Sequence, residues 1–522
     1  MRQPVSAGLR AAGTADVVHG DSLLRHAPTA QAAFIGPACK GPVDEPVLVT
    51  DPDGFADVFG PPCPGASLSP AVAQFFAQGG ESALVVRVAS DARAPTIDVP
   101  AGREWLHLCG RAPGTGEHLR AAIDFDGIAP EERDRFNLTV QRVRRRGSER
   151  VEAQEIHRRL SVDPDAERPI AKVLSASRLV RLVGTAPRER PAPTRGVAGV
   201  RPIGYVQDNA DGDDGRPLDD YDLIGNEGSR RGLFALAGQS FAFLCIPPLA
   251  AGRDIGPGLL LAAAAFCRRH HALLLVDPPQ AWRGASDALR GLRDWHFRSP
   301  DAVMCFPRFE TTDGRDAEAV AGISSGVLAG LLARADRAGD PWWMGSMVAG
   351  TRPRAGVRPS ARLTPAEATL LAAQGLGIVG TTEALAGLRS LQALGRRTGE
   401  PAGFAARRLL SWIARSIEQG TRWVTRERDE PDLGARARRQ VLGFLQDLAR
   451  QGAFTALELP TEPFVVDETG LPPATPGAGF RLLYGLGAPG SGTALGWMLE
   501  QDGAGATTRP VAVNAYALRS RA

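Results

Sequence analysis

Apolar and polar positions follow different rhythms in successive stretches of this 522-residue chain. Ala32–Gly36 and Pro46–Thr50 read as short strands. Asp51-Pro52 then opens a helix toward Phe59, with Asp as N-cap and Pro at the first helical position. Ser69-Pro70 opens a second helix, closed by Gly79-Gly80. Ser82–Ala89 is a continuous apolar run, the pattern of a buried strand. Between residues 101 and 200 the rhythm changes to strand-like alternation. FNLTVQRVRRR, ERVEAQEIHR and SRLVRLVG are separated by charged turns, which predicts a small inserted β domain. A short helix near Pro130–Arg135 is its one helical candidate.

Residues 208–218 (DNADGDDGRPL) are a polar loop, after which strands and helices alternate. Ser240–Ile246 reads as a strand stopped by Pro247-Pro248, Gly256–Arg269 as a helix, and Ala272–Val276 as a strand stopped by Asp277-Pro278-Pro279. Ala302–Phe306 is a further strand. Ser325–Arg337 is a helix whose apolar residues Val327, Leu328, Leu331 and Leu332 recur at helical spacing. This alternation predicts a mainly parallel sheet covered on both faces. Residues 351–362, rich in Arg, Pro and Gly, read as a linker. Thr364-Pro365-Ala366-Glu367 is a capping box. Two amphipathic helices follow near Ala405–Glu418 and Leu433–Gln451, then a β-like remainder ending in the alternating tail PVAVNAYAL. The first 30 residues carry no sustained period and read as an extended or disordered arm.

The predicted organisation is therefore an N-terminal arm (1–30), an α/β core in two parts (31–100 and 201–350), an inserted β domain (101–200), an α+β C-terminal domain (351–505) and a C-terminal arm (506–522). Length alone predicts about two to four domains.

Composition narrows the function classes. With 43% apolar and 23% charged residues the chain is an ordinary globular protein. A net charge of +3 provides no global field toward nucleic acid or membrane. Lys occurs only at Lys40 and Lys172, so nearly every cation is Arg. None of the six cysteines forms a CxxC pair, and Cys245 and Cys305 sit inside apolar runs. Buried thiols in a reducing compartment are expected, rather than disulfides or metal ligands. The N-terminus has no apolar core of a signal peptide. The longest apolar stretch, Leu259–Phe266, is too short to span a bilayer.

Chemical motifs are few. Gly322-Ile323-Ser324-Ser325-Gly326 fits the GxSxG nucleophile elbow, which needs a strand entering the Ser and a helix leaving it. The helix is present, but the preceding DGRDAEAVA is polar and small. A serine hydrolase would be completed by Asp277 as carboxylate and His296 as base. Asp277 before Pro-Pro reads more simply as a turn, and Ser324 or Ser325 as the N-cap of a helix. His270 and His271 end a helix beside Arg268 and Arg269, where cations complement the helix dipole. There is no GxxxxGK[ST], no HExxH, and no GxGxxG between strand and helix. Arg142–Arg150 reads as a charged hairpin turn.

Several ordered stretches resemble the contractile tail sheath proteins of myophages, R-type pyocins and phage-tail-like injection systems. The first comprises Ala33-Phe34-Ile35-Gly36, Gly41-Pro42-Val43-Asp44-Glu45-Pro46, Phe59-Gly60, Phe75-Phe76, Gly79-Gly80 and Val85-Val86-Arg87-Val88. The second comprises Asp134–Val140, Glu152 and Ser175–Leu182. The third runs from Cys245-Ile246-Pro247 through Val276-Asp277-Pro278-Pro279 to Ser325–Gly330, Ala333-Arg334 and Asp336, so it absorbs the GxSxG match. The fourth comprises Arg407–Leu410, Phe444-Leu445, Gly452–Phe454 and Phe464–Val466. The family's Pro-Pro before Ser-Gly is Ile323-Ser324 here, and its "PGVYV" start and acidic "PAEFI" element are missing.

The resemblance implies a subtilisin-like α/β core sheet flanked by helices, without protease function or cofactor. It also implies an outward-facing inserted domain and a C-terminal domain against a tail tube. Terminal arms in that family donate strands to neighbouring subunits, a role expected here of Val511, Val513 and Ala515 at one end and Val17 and Val18 at the other. From Phe404 to Gln451 ten Arg face six acids, a local charge of +4, and the helix face with Arg436 and Arg439 is the expected tube-facing surface. Implied partners are further copies of the chain in stacked rings, a tube protein, and baseplate and tail terminator proteins. Neither nucleic acid nor direct membrane insertion is implied. Assembly is expected in the cytoplasm, in a phage tail or tail-like particle that contracts without nucleotide. The alternatives are the Ser324 hydrolase and a non-contractile sheath paralogue or baseplate component.

Overall fold

The computed structural model describes the chain apart from residues 1–23, 63–66, 145–148, 195–203, 208–209, 250–251, 312–322, 339–350, 355, 381–386, 396–402, 426–432, 467–479, 488–492, 502–504 and 515–522. It forms two compact bodies, one of residues 28–412 and one of residues 413–522 with Leu24–Ala27.

The first body opens with β1 (Ala32–Gly36), β2 (Val47–Val49), α1 (Pro52–Phe59), α2 (Leu68–Gln78) and β3 (Ala83–Arg87). An insertion follows: β4 (Thr96–Ala101), β5 (Glu104–Gly110), β6 (Leu119–Asp124), β7 (Arg135–Arg144), β8 (Arg150–Ser161), α3 (Ile170–Ser175), β9 (Val180–Leu182) and β10 (Val206–Gln207). The core resumes with α4 (Asp220–Ile224), β11 (Phe243–Cys245), α5 (Pro257–Arg269), β12 (Leu273–Val276), α6 (Ala285–Asp294) and β13 (Ala302–Phe306). It ends with β14 (Phe309–Thr311), α7 (Ser324–Ala338), β15 (Val357–Pro359), α8 (Pro365–Ala373), β16 (Gly377–Gly380), β17 (Gly387–Ser390) and the start of α9 (Phe404–Gly420).

Eight strands form the central sheet in the order β17-β16-β13-β12-β11-β1-β3-β2. The strands from β16 to β3 are parallel, with antiparallel edges at β17 and β2. Burial on both faces explains why these strands read as unbroken apolar runs. One face packs Leu244, Leu274, Met304 and Phe306 against α5, α6 and α8. The other packs Phe34, Val85, Phe243 and Leu275 against α1, α2 and α7.

Local signals act as read at several ends. Asp51 caps α1 by accepting the Gly54 N–H at 2.7 Å. Thr364 and Glu367 form the capping box of α8. Gly79 closes α2 in the left-handed conformation. Other expectations need correction. Helix α2 begins at Leu68, because Leu68 is itself buried in the core. Residues 130–134 form turns that lead into β7, where Glu132 accepts the Ala129 N–H and pairs with Arg135 and Arg159. The insertion's helix is α3 instead, anchored by Ile170 and Leu174, a single i,i+4 pair too short to show a period. The stretch read as a linker contains β15, paired with β14. Gly377–Gly380 and Gly387–Ser390, placed by sequence in the C-terminal domain, are β16 and β17 of the core sheet.

Among the described helices α7 is the most enclosed, with twelve of its fifteen residues buried. Gly326 and Gly330 let its backbone approach α2. A Cβ on Gly326 would lie 2.2 Å from the Ala71 carbonyl oxygen, and one on Gly330 2.5 Å from that of Phe75. Near its C-terminal end Asp336 accepts a bidentate pair from Arg408 at 2.9 and 2.7 Å, with both side chains almost fully buried. Arg408 also donates to the Thr29 carbonyl and lies 4.8 Å over the Phe243 ring. This geometry needs the fixed fork of arginine.

The insertion folds as two sheets, β4-β5-β9 and β10-β6-β7-β8, around a shared apolar core that includes Leu108, Phe136, Leu138 and Val180. Strands β7 and β8 pair antiparallel to Arg144 and Arg150, a hairpin as read. A buried charge network ties it to the core. Arg87 donates to the carbonyls of Gly41 and Pro113, Lys40 pairs with Glu152 at 2.5 Å, and Glu117 accepts the Gly41 N–H.

The second body contains α10 (Leu433–Arg450) and an antiparallel sheet of β18 (Glu462–Val466), β19 (Phe480–Gly487), β20 (Thr493–Gln501) and β21 (Ala506–Asn514). The end of the expected N-terminal arm is held here. The Ala27 N–H donates to Ser416 Oγ at 3.0 Å, and Leu24 packs against Gly420. Gln501 Nε2 donates to the Glu418 carbonyl and to Thr421 Oγ1.

Two glycine substitutions should act in opposite directions. Gly330→Ala should lower stability by about 2 kcal/mol, because the backbone of α2 must move to admit the methyl. Gly443→Ala in α10, where nothing lies within 4 Å, should raise it by about 0.5–1 kcal/mol. Denaturant titration of each variant checks both signs.

Candidate functional site

The strongest chemical candidate from sequence is the group Ser324, Asp277 and His296. The described helix starts at Ser324, and the Val327 N–H bonds the Ile323 carbonyl, so Ile323 stands at the N-cap position. The two serines therefore occupy the first turn, which corrects the expectation that one of them is the cap. Asp277, just past the end of β12, caps the helix across space. Its carboxylate accepts the Ser325 N–H at 3.0 Å and the Ser325 hydroxyl at 2.6 Å, and also the Ser324 N–H. Burial pushes the Asp277 carboxyl up to about 7 against the pull of these hydrogen bonds.

This arrangement leaves the triad unassembled. Ser324 is buried, and its hydroxyl accepts the Phe309 N–H at 2.8 Å. His296 is exposed beyond α6 and is hydrogen-bonded to neither Asp277 nor Ser324 among the described residues. A serine nucleophile needs a base within hydrogen-bond reach and an exposed hydroxyl. The structure brings Asp277 to Ser325, the neighbour of the predicted nucleophile, as a helix cap.

Cys245, Cys267 and Cys305 are buried, and burial pushes all three thiols up, which makes them inert small apolar groups. The expectation of free thiols throughout is corrected at Cys39, which is disulfide-bonded. Cysteine usage therefore no longer argues for a reducing compartment. No helix among the described residues is long and apolar enough to cross a membrane.

The expected assembly residues fall in different settings. Val17, Val18 and Ala515 lie outside the described residues. Val511 and Val513 lie in β21, opposite Gly496 and Ala494 of β20. Residues 506–514, expected as a free arm, are thus the edge strand of the chain's own sheet. Alternation predicted the strand, but nothing local to it indicates its partner. In α10 Arg439 is exposed, whereas Arg436 is half-buried with its guanidinium 4.4 Å over the Trp423 ring. Sequence reasoning missed that stacking and the capping role of Asp277. The one available signal for the cap was a carboxylate between a strand and two prolines, which lack N–H groups of their own for it to bind.

Two outcomes follow from the cap. The native state holds the Asp277 proton up to about pH 7, whereas the unfolded chain releases it near pH 4. Stability from this group is complete below the lower value and lost as pH rises through the higher one. The stability of the wild-type chain relative to Asp277→Asn should therefore fall between pH 4 and pH 7, by about 4 kcal/mol in all. A pH-independent difference in urea titrations would refute this. A fluorophosphonate probe should leave the folded chain unlabelled, and labelling lost in Ser324→Ala would restore the hydrolase reading.

No family model and no curated protein matches the chain. Among solved structures, the sheath tail protein of Listeria innocua matches with a TM-score of 0.57 at 12% identity, over 92% of this chain and 95% of that one. The sheath tail protein of Desulfitobacterium hafniense matches at 0.48 and 13% identity, over 96% of this chain and 100% of that one. The contracted sheath of the PVC extracellular contractile injection system matches at 0.48 and 11% identity, over 93% and 95%. With its α/β core, β insertion and second body matched nearly end to end, the chain has the fold of a tail sheath protein.

Proposed function

We propose that this chain is a sheath subunit of a contractile tail, which polymerises around a tail tube and shortens to drive it. The observation that carries the reading is the fold match to a sheath tail protein over more than nine-tenths of both chains. The ordered sheath-like sequence stretches, which run through both bodies, support it. The core is read as subtilisin-like with its hydrolytic chemistry lost, a reading supported by a buried Ser324 and an Asp277 committed to a helix cap. Shortening draws on the difference between two packings of the same subunits, so it requires no nucleotide.

Assembly requires copies of the chain to join. The outer edge of β21, to which no strand among the described residues pairs, would accept a further strand from a neighbour. Val17, Val18 and Ala515 belong to the segments proposed to supply such strands, and Val511 and Val513 to the edge that receives them. The tube-facing surface is proposed on α10. Arg439 is its principal cation, because Arg436 is engaged with Trp423. Baseplate and terminator proteins are the further partners of this reading, and assembly in the cytoplasm precedes incorporation into the particle.

Negative-stain microscopy of the purified chain should show rings or helical tubes. Monodisperse globules at all concentrations would refute the reading. Arg439→Glu should weaken attachment to the tube at low salt while leaving tube-free polymers intact. Undiminished attachment would remove α10 as the contact.

A further inference from the structure

We infer that a basic patch at one pole of the core sheet docks the acidic segment Asp211–Asp222, with its exposed Tyr221, at the opposite pole of a second copy of this chain.

The basic patch forms where α2 and α7 end together, beside the N-terminal ends of the parallel strands. Arg337 pairs with Glu81 and donates to the Gly79 carbonyl, Arg354 donates to the Ala77 carbonyl, and Arg334 donates to the Arg352 carbonyl. Most of these acceptors are uncharged. Glu81 is the one carboxylate among the described residues paired with the three guanidiniums of Arg334, Arg337 and Arg354. Capping the end of α2 accounts for part of this placement, since its carbonyls favour cations. It does not account for a third guanidinium brought among the others. Burial holds Arg334 below its ordinary range, and the neighbouring charges of Arg354 and Arg337 add to the effect. An anionic partner would relieve that repulsion.

The acidic segment lies at the other pole. Ser90, three residues beyond β3, bridges to Gly215, and Arg93 bridges to Asp213. Asp220, at the start of α4, reaches Gly256 before α5, which follows the C-terminal end of β11. Residues 211–222 carry six aspartates against Arg216 within the segment and Arg93 and Arg87 beside it, which pair with Asp213 and Asp214, so the surface keeps an excess of negative charge. Near their end, between Asp220 and Asp222, Tyr221 is 82% exposed, the most exposed large apolar side chain among the described residues. A tyrosine set among carboxylates fits an arginine cluster, which offers both charge and planar faces to an aromatic ring.

Position selects the occupant. Complementary patches at opposite poles of one subunit make a heterologous, head-to-tail contact, which propagates rather than closing a pair. A second copy therefore presents the required acidic aromatic surface in the required direction. The inference rests on the proposed self-assembly and specifies one of its contacts.

Two charge-reversal variants of the full chain test it: Arg337→Glu with Arg354→Glu, and Asp211→Lys with Asp220→Lys. Each alone should raise the concentration needed for polymerisation at low salt at least about tenfold, because like charges then meet across the contact. Circular dichroism and melting of each variant establish that it is folded. Mixed in equal amounts, the two should co-polymerise near the wild-type concentration, since each restores the other's missing sign. Light scattering and sedimentation velocity read the result. Folded variants that polymerise singly like the wild type, or that fail to rescue each other, overturn the contact while leaving the sheath reading in place. A wild-type chain that never polymerises overturns both.

Discussion

The first body depends on enclosing one helix. α7 lies against the sheet with twelve of its fifteen residues buried, so the polar groups of its first turn have no water to turn to. Asp277 satisfies its N-terminal turn from the end of β12, and Arg408 neutralises Asp336 near its C-terminal end. Both partners are themselves buried, and each is held by several hydrogen bonds. Removing one member of such a pair strands the other, which makes these positions far more sensitive than their surroundings. The family resemblance absorbs Ser324 and Ser325 into this helix start, and the geometry gives the physical reason.

Much of the fold was legible in the chain. Parallel strands buried on both faces leave apolar runs, and β1, β3, β12 and β13 were read from them within a residue or two. Caps were equally legible where the capping group lies beside its helix, as at Asp51 and Thr364. Long-range partners were not. The cap of α7 comes from a residue 48 positions earlier, and Arg408 finds Asp336 at a separation of 72. β16 and β17 were assigned to the wrong part of the chain because short glycine-bearing strands have no pattern that names their sheet. The candidate triad failed for the same reason: Asp277, Ser324 and His296 are sensible residue types, and only the fold decides which of them meet.

The structural logic agrees with an assembly role more than with a chemical one. Polar groups inside the core are used to join elements. Arg87, Lys40, Glu117 and Glu152 knit the insertion to the sheet, as the Asp277 cap joins a strand to a helix. Surface features are the ones left open: an edge strand at β21, an exposed Arg439, and opposite charge at the two poles of the sheet.

The glycine contact between α2 and α7 has a mechanical meaning. Two helices separated by side chains can slide by exchanging rotamers. Two helices whose backbones touch at Gly326 and Gly330 lack that compliance, because any slip drives carbonyl oxygens into main chain. The pair behaves as a stiff plate. A load applied at either helix therefore passes to the other without being absorbed between them.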